Sequence, residues 1–207
     1  MAKHLLDHKL AAYAMAGGVA SLALPVTANA SVIYFAGPAL SITGVGSSTQ
    51  LDLNGDSLND FTFSIGQSGA LTSMTVTPLG TSHVADSGGY AALYAPGDLI
   101  DASASFVGTP RDLATYKAGP GYAGNWPNDG TPGYLGLSFD LSGETYYGWA
   151  QVGTNFSSTT LSVYDWAYND TPATGLDAGV PEPSTLGLFC LGAAGVLALR
   201  RRKQRAG

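Results

Sequence analysis

Between residues 31 and 168 several runs place apolar side chains at every second position, and scarcely any place them at the three- and four-residue spacing of a helix face. Asp60-Phe61-Thr62-Phe63-Ser64-Ile65 alternates cleanly, Thr72, Met74 and Val76 share one strand face, and Leu135, Leu137, Phe139 and Leu141 share another. A period of two sends neighbours to opposite sides of the backbone, so each run offers one apolar face that a packed sheet must cover. The last third reads as a meander: GYLGLSFDL (133–141), ETYYGWAQV (144–152) and STTLSVYDWAY (158–168), separated by Ser142-Gly143 and by a turn over 153–157. The expected class is all-β, a β-sandwich or jelly-roll-like domain over residues 31–168. Residues 108–132 read as a long loop. Residues 169–179, rich in Pro, Gly, Thr and Asp, read as a linker.

The two ends follow other rules. Lys3 and Lys9 precede the apolar run Leu10 to Leu24, and Ala28-Asn29-Ala30 supplies the small residues that signal peptidase requires. Residues 1–30 are therefore expected to be a signal peptide cut after Ala30. At the other end Ser184 to Leu199 carries no charge. As a helix it would span about 24 Å, a little less than a hydrocarbon core of about 30 Å, and snorkelling basic side chains can cover the difference. The cluster Arg200, Arg201, Arg202, Lys203 and Arg205 follows it. The excess of positive charge holds that tail inside and leaves residues 31–183 outside, as expected for a chain with a single C-terminal transmembrane helix over about 184–199.

Val180-Pro181-Glu182-Pro183, the apolar run from Ser184 to Leu199 and the basic cluster after it, together with the signal at the other end, resemble the PEP-CTERM proteins of Gram-negative bacteria. The resemblance rests on residues 180–207 and the signal. It implies an exosortase as partner and a passage across the inner membrane, with transient anchoring there before delivery to the cell surface or extracellular matrix. It also implies an association with exopolysaccharide and biofilm. Segments such as YYGWAQV and VYDWAYNDTP resemble a run that recurs in such proteins, to which no activity is attached.

Charge limits the partners of the domain. Arg111 and Lys117 are the only basic residues between positions 31 and 180, against thirteen acidic ones, a formal charge of 2 − 13 = −11. Such a surface repels phosphate backbones and excludes nucleic acid as a partner. The single cysteine, Cys190, lies in the C-terminal apolar run, so no intramolecular disulfide is available to an exported domain. An ion is then worth seeking, and calcium is the cofactor that Asp52, Asn54, Asp56, Leu58 and Asp60 suggest. Their side-chain oxygens fall at positions one, three, five and nine, with a Leu58 carbonyl at seven. The fit to an EF-hand is partial, because Ser57 stands where glycine is usual and Phe63 where the closing glutamate would be. The same stretch reads equally as an Asn-Gly hairpin turn, and spacing does not decide between the two.

Catalytic readings are poorer, and the expectation is a protein that is not an enzyme. Asp86-Ser87-Gly88-Gly89 is similar to the nucleophile stretch of chymotrypsin-like proteases, but His83, the only histidine left once the signal is removed, lies four residues from Ser87. A glycoside hydrolase, the third reading, would draw Glu144 together with Asp140 or Asp165. The alternative to a structural or adhesive envelope protein is a lectin-like module, with Trp126, Tyr122, Asn128 and Asp129 as the sugar-binding set. A flat ring beside amides and carboxylates suits sugar faces and hydroxyls.

Overall fold

The computed structural model describes residues 32–119 and 121–180. The signal segment, Pro181, Glu182, Pro183, the apolar run 184–199 and the basic tail lie outside those residues. Within them there are fifteen strands and no helix, hence none long and apolar enough to cross a membrane. In chain order the strands are β1 (Val32–Thr43), β2 (Ser48–Leu51), β3 (Phe61–Ser68), β4 (Leu71–Pro78), β5 (His83–Ser87), β6 (Tyr90–Ala91), β7 (Leu93–Tyr94) and β8 (Leu99–Ile100). They continue with β9 (Phe106–Val107), β10 (Arg111–Lys117), β11 (Gly121–Gly124), β12 (Gly133–Leu141), β13 (Glu144–Asn155), β14 (Thr160–Asn169) and β15 (Leu176–Asp177).

The class is all-β as expected, but in place of two sheets packed face to face the main strands form one nearly closed sheet. Its order is β1-β14-β13-β12-β5-β6-β10-β4-β3-β2, with β7, β9 and β11 as side pairings. Only residues 44–47 separate the two end strands, and they fasten to both sides: the Gly44 amide donates to Thr159 O at 2.9 Å and the Gly46 amide to Ile65 O at 2.8 Å. The ends are thus held together by a turn, although β1 and β2 share no ladder. Phe61, Phe63 and Ile65 from β3, Met74 and Val76 from β4, and Leu135, Leu137 and Phe139 from β12 meet Val152, Leu161 and Val163 in one core. These are the residues that the alternation assigns to one face, and each full burial contributes about 1.5–3 kcal/mol. Leu141 differs, since it is exposed beside the β12–β13 turn, where Ser142 (φ 56°) and Gly143 (φ 87°) both take the positive angles of a two-residue hairpin loop.

Two segments depart from their sequence readings. Residues 108–132 are no plain loop, because β10 and β11 form a hairpin there, with β10 also laid against β4. Residues 169–179 are no linker. They carry β15, which pairs with β8, and they bury Leu176 and Ala178 in a second apolar cluster with Ile100, Tyr147, Trp149 and Ala167. Tyr147 and Trp149 alternate along β13 with Ala150 and Val152 of the main core, so the second cluster lies on the outer face of the sheet, under the β8–β15 flap.

Candidate functional site

The path from the last long strand to the tail is fastened at nearly every step. The Asn169 side chain closes the end of β14 by donating to Gly175 O (3.0 Å) and accepting from the Thr171 amide (3.0 Å). The Ala173 amide donates to Thr145 O at 2.8 Å. Beyond β15 the Gly97 amide donates to Ala178 O (2.8 Å), and the Ala178 amide donates to Asp98 O (2.9 Å). Gly179 then takes φ +70° and lies directly on the Tyr134 ring, where any Cβ would collide with that ring. Only glycine suits this position, on both counts. Val180 is 39 % exposed, and its amide still donates to Asp177 O at 3.4 Å.

Beneath this exit the outer face of the sheet is aromatic. Tyr134 meets Trp149 edge-on at 5.2 Å, and Tyr34 lies 6.0 Å from the same indole. The Tyr34 hydroxyl donates to Asp165 Oδ2 at 2.6 Å. That hydrogen bond, then burial, then the Asp165 charge lift its pKa to about 12. The Gln151 amide donates to the Tyr134 hydroxyl at 2.9 Å.

The proposed sugar-binding set is not assembled as expected. Trp126 is 1 % exposed, belongs to the main core, and donates its Nε1 proton to Ala91 O at 3.2 Å. It is packing, and it presents no ring to a sugar. Tyr122 is half-buried, edge-on to Phe156, and its hydroxyl has no hydrogen-bond partner among the described residues. Burial first and the Asp129 charge second push its pKa to about 12. Asp129 caps its own turn through the Thr131 amide at 2.9 Å, and Asn128 supplies only a backbone oxygen, to the Phe156 amide.

The Asp52–Asp60 loop is closed by its own hydrogen bonds. Asp52 accepts from the amides of Gly55 (2.7 Å) and Ser57 (2.8 Å), Asn54 from Asp56 (3.0 Å), Asp56 from Leu58 (2.8 Å), and Asp60 from Leu53 (2.7 Å). Ser57 takes φ 72°, so the backbone adopts the left-handed turn without the glycine expected there. The Leu58 side chain is 70 % exposed. Among the described residues no three His, Cys, Asp or Glu side chains are placed to hold one metal ion. A calcium ion here would rest on two carboxylates at most, with Asn54 and backbone carbonyls completing its shell.

Neither catalytic arrangement comes together. His83 and Ser87 lie at the two ends of the same extended strand, about 13 Å apart along it, and Asp86 is taken by an ion pair with Arg111. Asp165 pairs in register with Gln151, seven residues along β13 from Glu144, or roughly 23 Å. Asp140 pairs in register with Thr145, accepting from its hydroxyl at 2.7 Å, while Glu144 pairs with Leu141, so the Asp140 and Glu144 side chains leave opposite faces of the hairpin. The flap and its aromatic bed escape a reading of composition, although one signal was present. In YYGWAQV both parities are apolar, as in strands covered on both faces.

No curated protein and no solved structure matches the chain. Residues 179–203 match the PEP-CTERM protein-sorting motif, which begins at the glycine seated on Tyr134. The chain therefore carries a PEP-CTERM protein-sorting motif, which marks it for export and for sorting by an exosortase.

Proposed function

We propose that this protein is a cell-envelope or extracellular-matrix component, without enzymatic activity, whose β domain acts structurally or adhesively alongside exopolysaccharide in a biofilm. The observation that carries this reading is where the motif starts. It begins at Gly179, two residues past β15, the last strand among the described residues, so those strands lie ahead of the sorting address as its cargo. The separation of His83 from the serine-hydrolase geometry, and of Glu144 from Asp165, supports a non-catalytic role. On this reading the apolar run 184–199 anchors the precursor in the inner membrane until the exosortase acts, and the Asp52–Asp60 loop is where calcium would bind.

The test replaces Pro181, Glu182 and Pro183 by alanine and follows the protein by fractionation and intact mass. Wild type is expected at the surface or in the matrix, lacking the signal up to Ala30 and the Arg200–Arg205 peptide. The variant is expected to stay in the inner membrane with its tail attached. Equal delivery of both would overturn the sorting assignment, and an unchanged biofilm in a strain lacking the protein would overturn the matrix role. A lectin-like role is the second reading. What favours it is a polar groove beside β8, lined by Asn125 next to the buried Trp126 but by none of Trp126, Tyr122, Asn128 and Asp129.

A further inference from the structure

The β5 strand, the β6–β7 segment and the loop that carries β8 enclose a groove of about 760 Å³. That volume is within the range of small-ligand sites, ~300–1,000 Å³. Backbone contacts hold its shape: the Asp86 amide donates to Ser105 O at 2.7 Å, and the Ala92 amide to Ala85 O at 2.8 Å. Its polar lining is Asp86, Ser87, Asp98, Ser105 and Asn125, and its apolar lining includes Leu93, Tyr94 and Leu99. Leu93 and Leu99 are 39 % and 56 % exposed, so both offer apolar surface to the groove.

The polar groups are not equivalent. Asp86 is neutralised by Arg111, in the only ion pair found among the described residues. Asp98 has no such counter-charge; one of its oxygens accepts from the Ala95 amide at 2.7 Å. The Asn125 amide nitrogen donates to Ser87 O (3.0 Å) and Ala91 O (3.1 Å), which leaves its carbonyl oxygen to accept from a ligand. The Tyr94 hydroxyl is held above its ordinary range, first by burial and then by the charges of Asp101 and Asp98, so negative potential reaches the ring. A groove with a carboxylate in need of a cation, hydroxyl and amide groups beside it, and an aliphatic and aromatic wall fits one ligand chemistry.

We propose that this groove binds an amine-bearing sugar chain, a polymer of aminohexose units that are at least partly free of N-acetyl groups. The C–H faces of the pyranose rings lie against Leu93, Leu99 and Tyr94, and the hydroxyls are met by Ser87, Ser105 and Asn125. The ammonium group pairs with Asp98 in a charge-assisted bond. The formal charge of −11 between positions 31 and 180 draws such a polymer in and repels a polyuronate. This proposal deepens the lectin-like reading and does not depend on sorting, because binding is read on purified protein whatever its route of export.

The experiment measures binding of glucosamine oligomers and of N-acetylglucosamine oligomers of equal length by calorimetry. It uses the full-length chain in mild detergent, at a pH where the free amines are protonated. The unacetylated oligomers are expected to bind about tenfold more tightly, with a preference that shrinks as salt is added. Asp98→Asn keeps an acceptor for the Ala95 amide and is expected to remove that preference. Ser105→Arg, at an exposed position in the groove, is expected to abolish binding, and melting curves confirm that both variants are folded. Equal affinity for the two oligomers, or no binding of either by wild type, overturns the proposal without recourse to a variant. So does an Asp98→Asn protein that is folded and still discriminates.

Discussion

Asp60 lies half-buried at the foot of its loop, near Asp52 and Asp56, and its pKa is raised. Burial is the largest cause, opposed by the hydrogen bond from the Leu53 amide and reinforced by the charges of Asp52 and Asp56. A carboxyl whose folded pKa exceeds its unfolded one contributes stability below the unfolded pKa and loses it as pH rises through the folded pKa. At neutral pH the Asp60 charge is therefore a cost. Asp60→Asn keeps an acceptor for Leu53, and in chelator near pH 7 it is expected to raise stability, a gain that vanishes near pH 3. Calcium in the loop would invert the comparison, stabilising wild type and leaving Asp60→Asn behind. Thermal melts of both proteins in chelator and in calcium check this. Destabilisation by Asp60→Asn in chelator would count against the electrostatic account, and identical wild-type melts in both buffers against the ion. The stretch was legible in the sequence as a turn between two strand-like runs, and β2 and β3 do pair across it. Trp126 was misread because its polar neighbours in the chain say nothing of the Ala91 carbonyl, thirty-five positions away, that receives its proton.

At the scale of elements, the flap is the weakest fixture. β8 and β15 are two residues each, and the pairing depends on Leu176, 4 % exposed, and Ala178, fully buried. Leu176→Asp forfeits about 1.5–3 kcal/mol of burial in this small unit and should undock the flap while leaving the main sheet folded. Limited proteolysis and hydrogen exchange are expected to show residues 170–180 opening in the variant, with β3, β4 and β12–β14 still protected. Joint loss of protection, or none at all, would show that the flap is not a separate unit. The long strands were legible because each shows one apolar face with a period of two, and Phe61, Phe63, Ile65, Leu135, Leu137 and Phe139 all turn inward as the alternation requires. β8, β9 and β15 were not legible, because two residues carry no period and their pairing is set by distant chain. The Pro, Gly, Thr and Asp of residues 169–179 suit tight turns as well as they suit a linker.

For the molecule as a whole, like charge is the dominant field. With −11 between positions 31 and 180, added salt should screen self-repulsion, and raising ionic strength from about 20 to about 200 mM is expected to raise Tm by a few degrees. A fall in Tm over that range would mean that attractive pairs outweigh repulsion. The seating of Gly179 on Tyr134 also sets the geometry of the precursor. If anchoring begins at Ser184, as proposed, the four Cα-to-Cα steps from Val180 to Ser184 extend at most about 14 Å. A domain of roughly 150 residues has a radius of gyration of about 15 Å. A leash no longer than the body it holds cannot let that body tumble. On that proposal the flap side would face the bilayer until the tail is cut and the opposite side would face away, giving the protein a top and a bottom. Of its groups, those along β8, Asp98 and Leu99 among them, would stand nearest the lipid, and release would be the moment they first face open water.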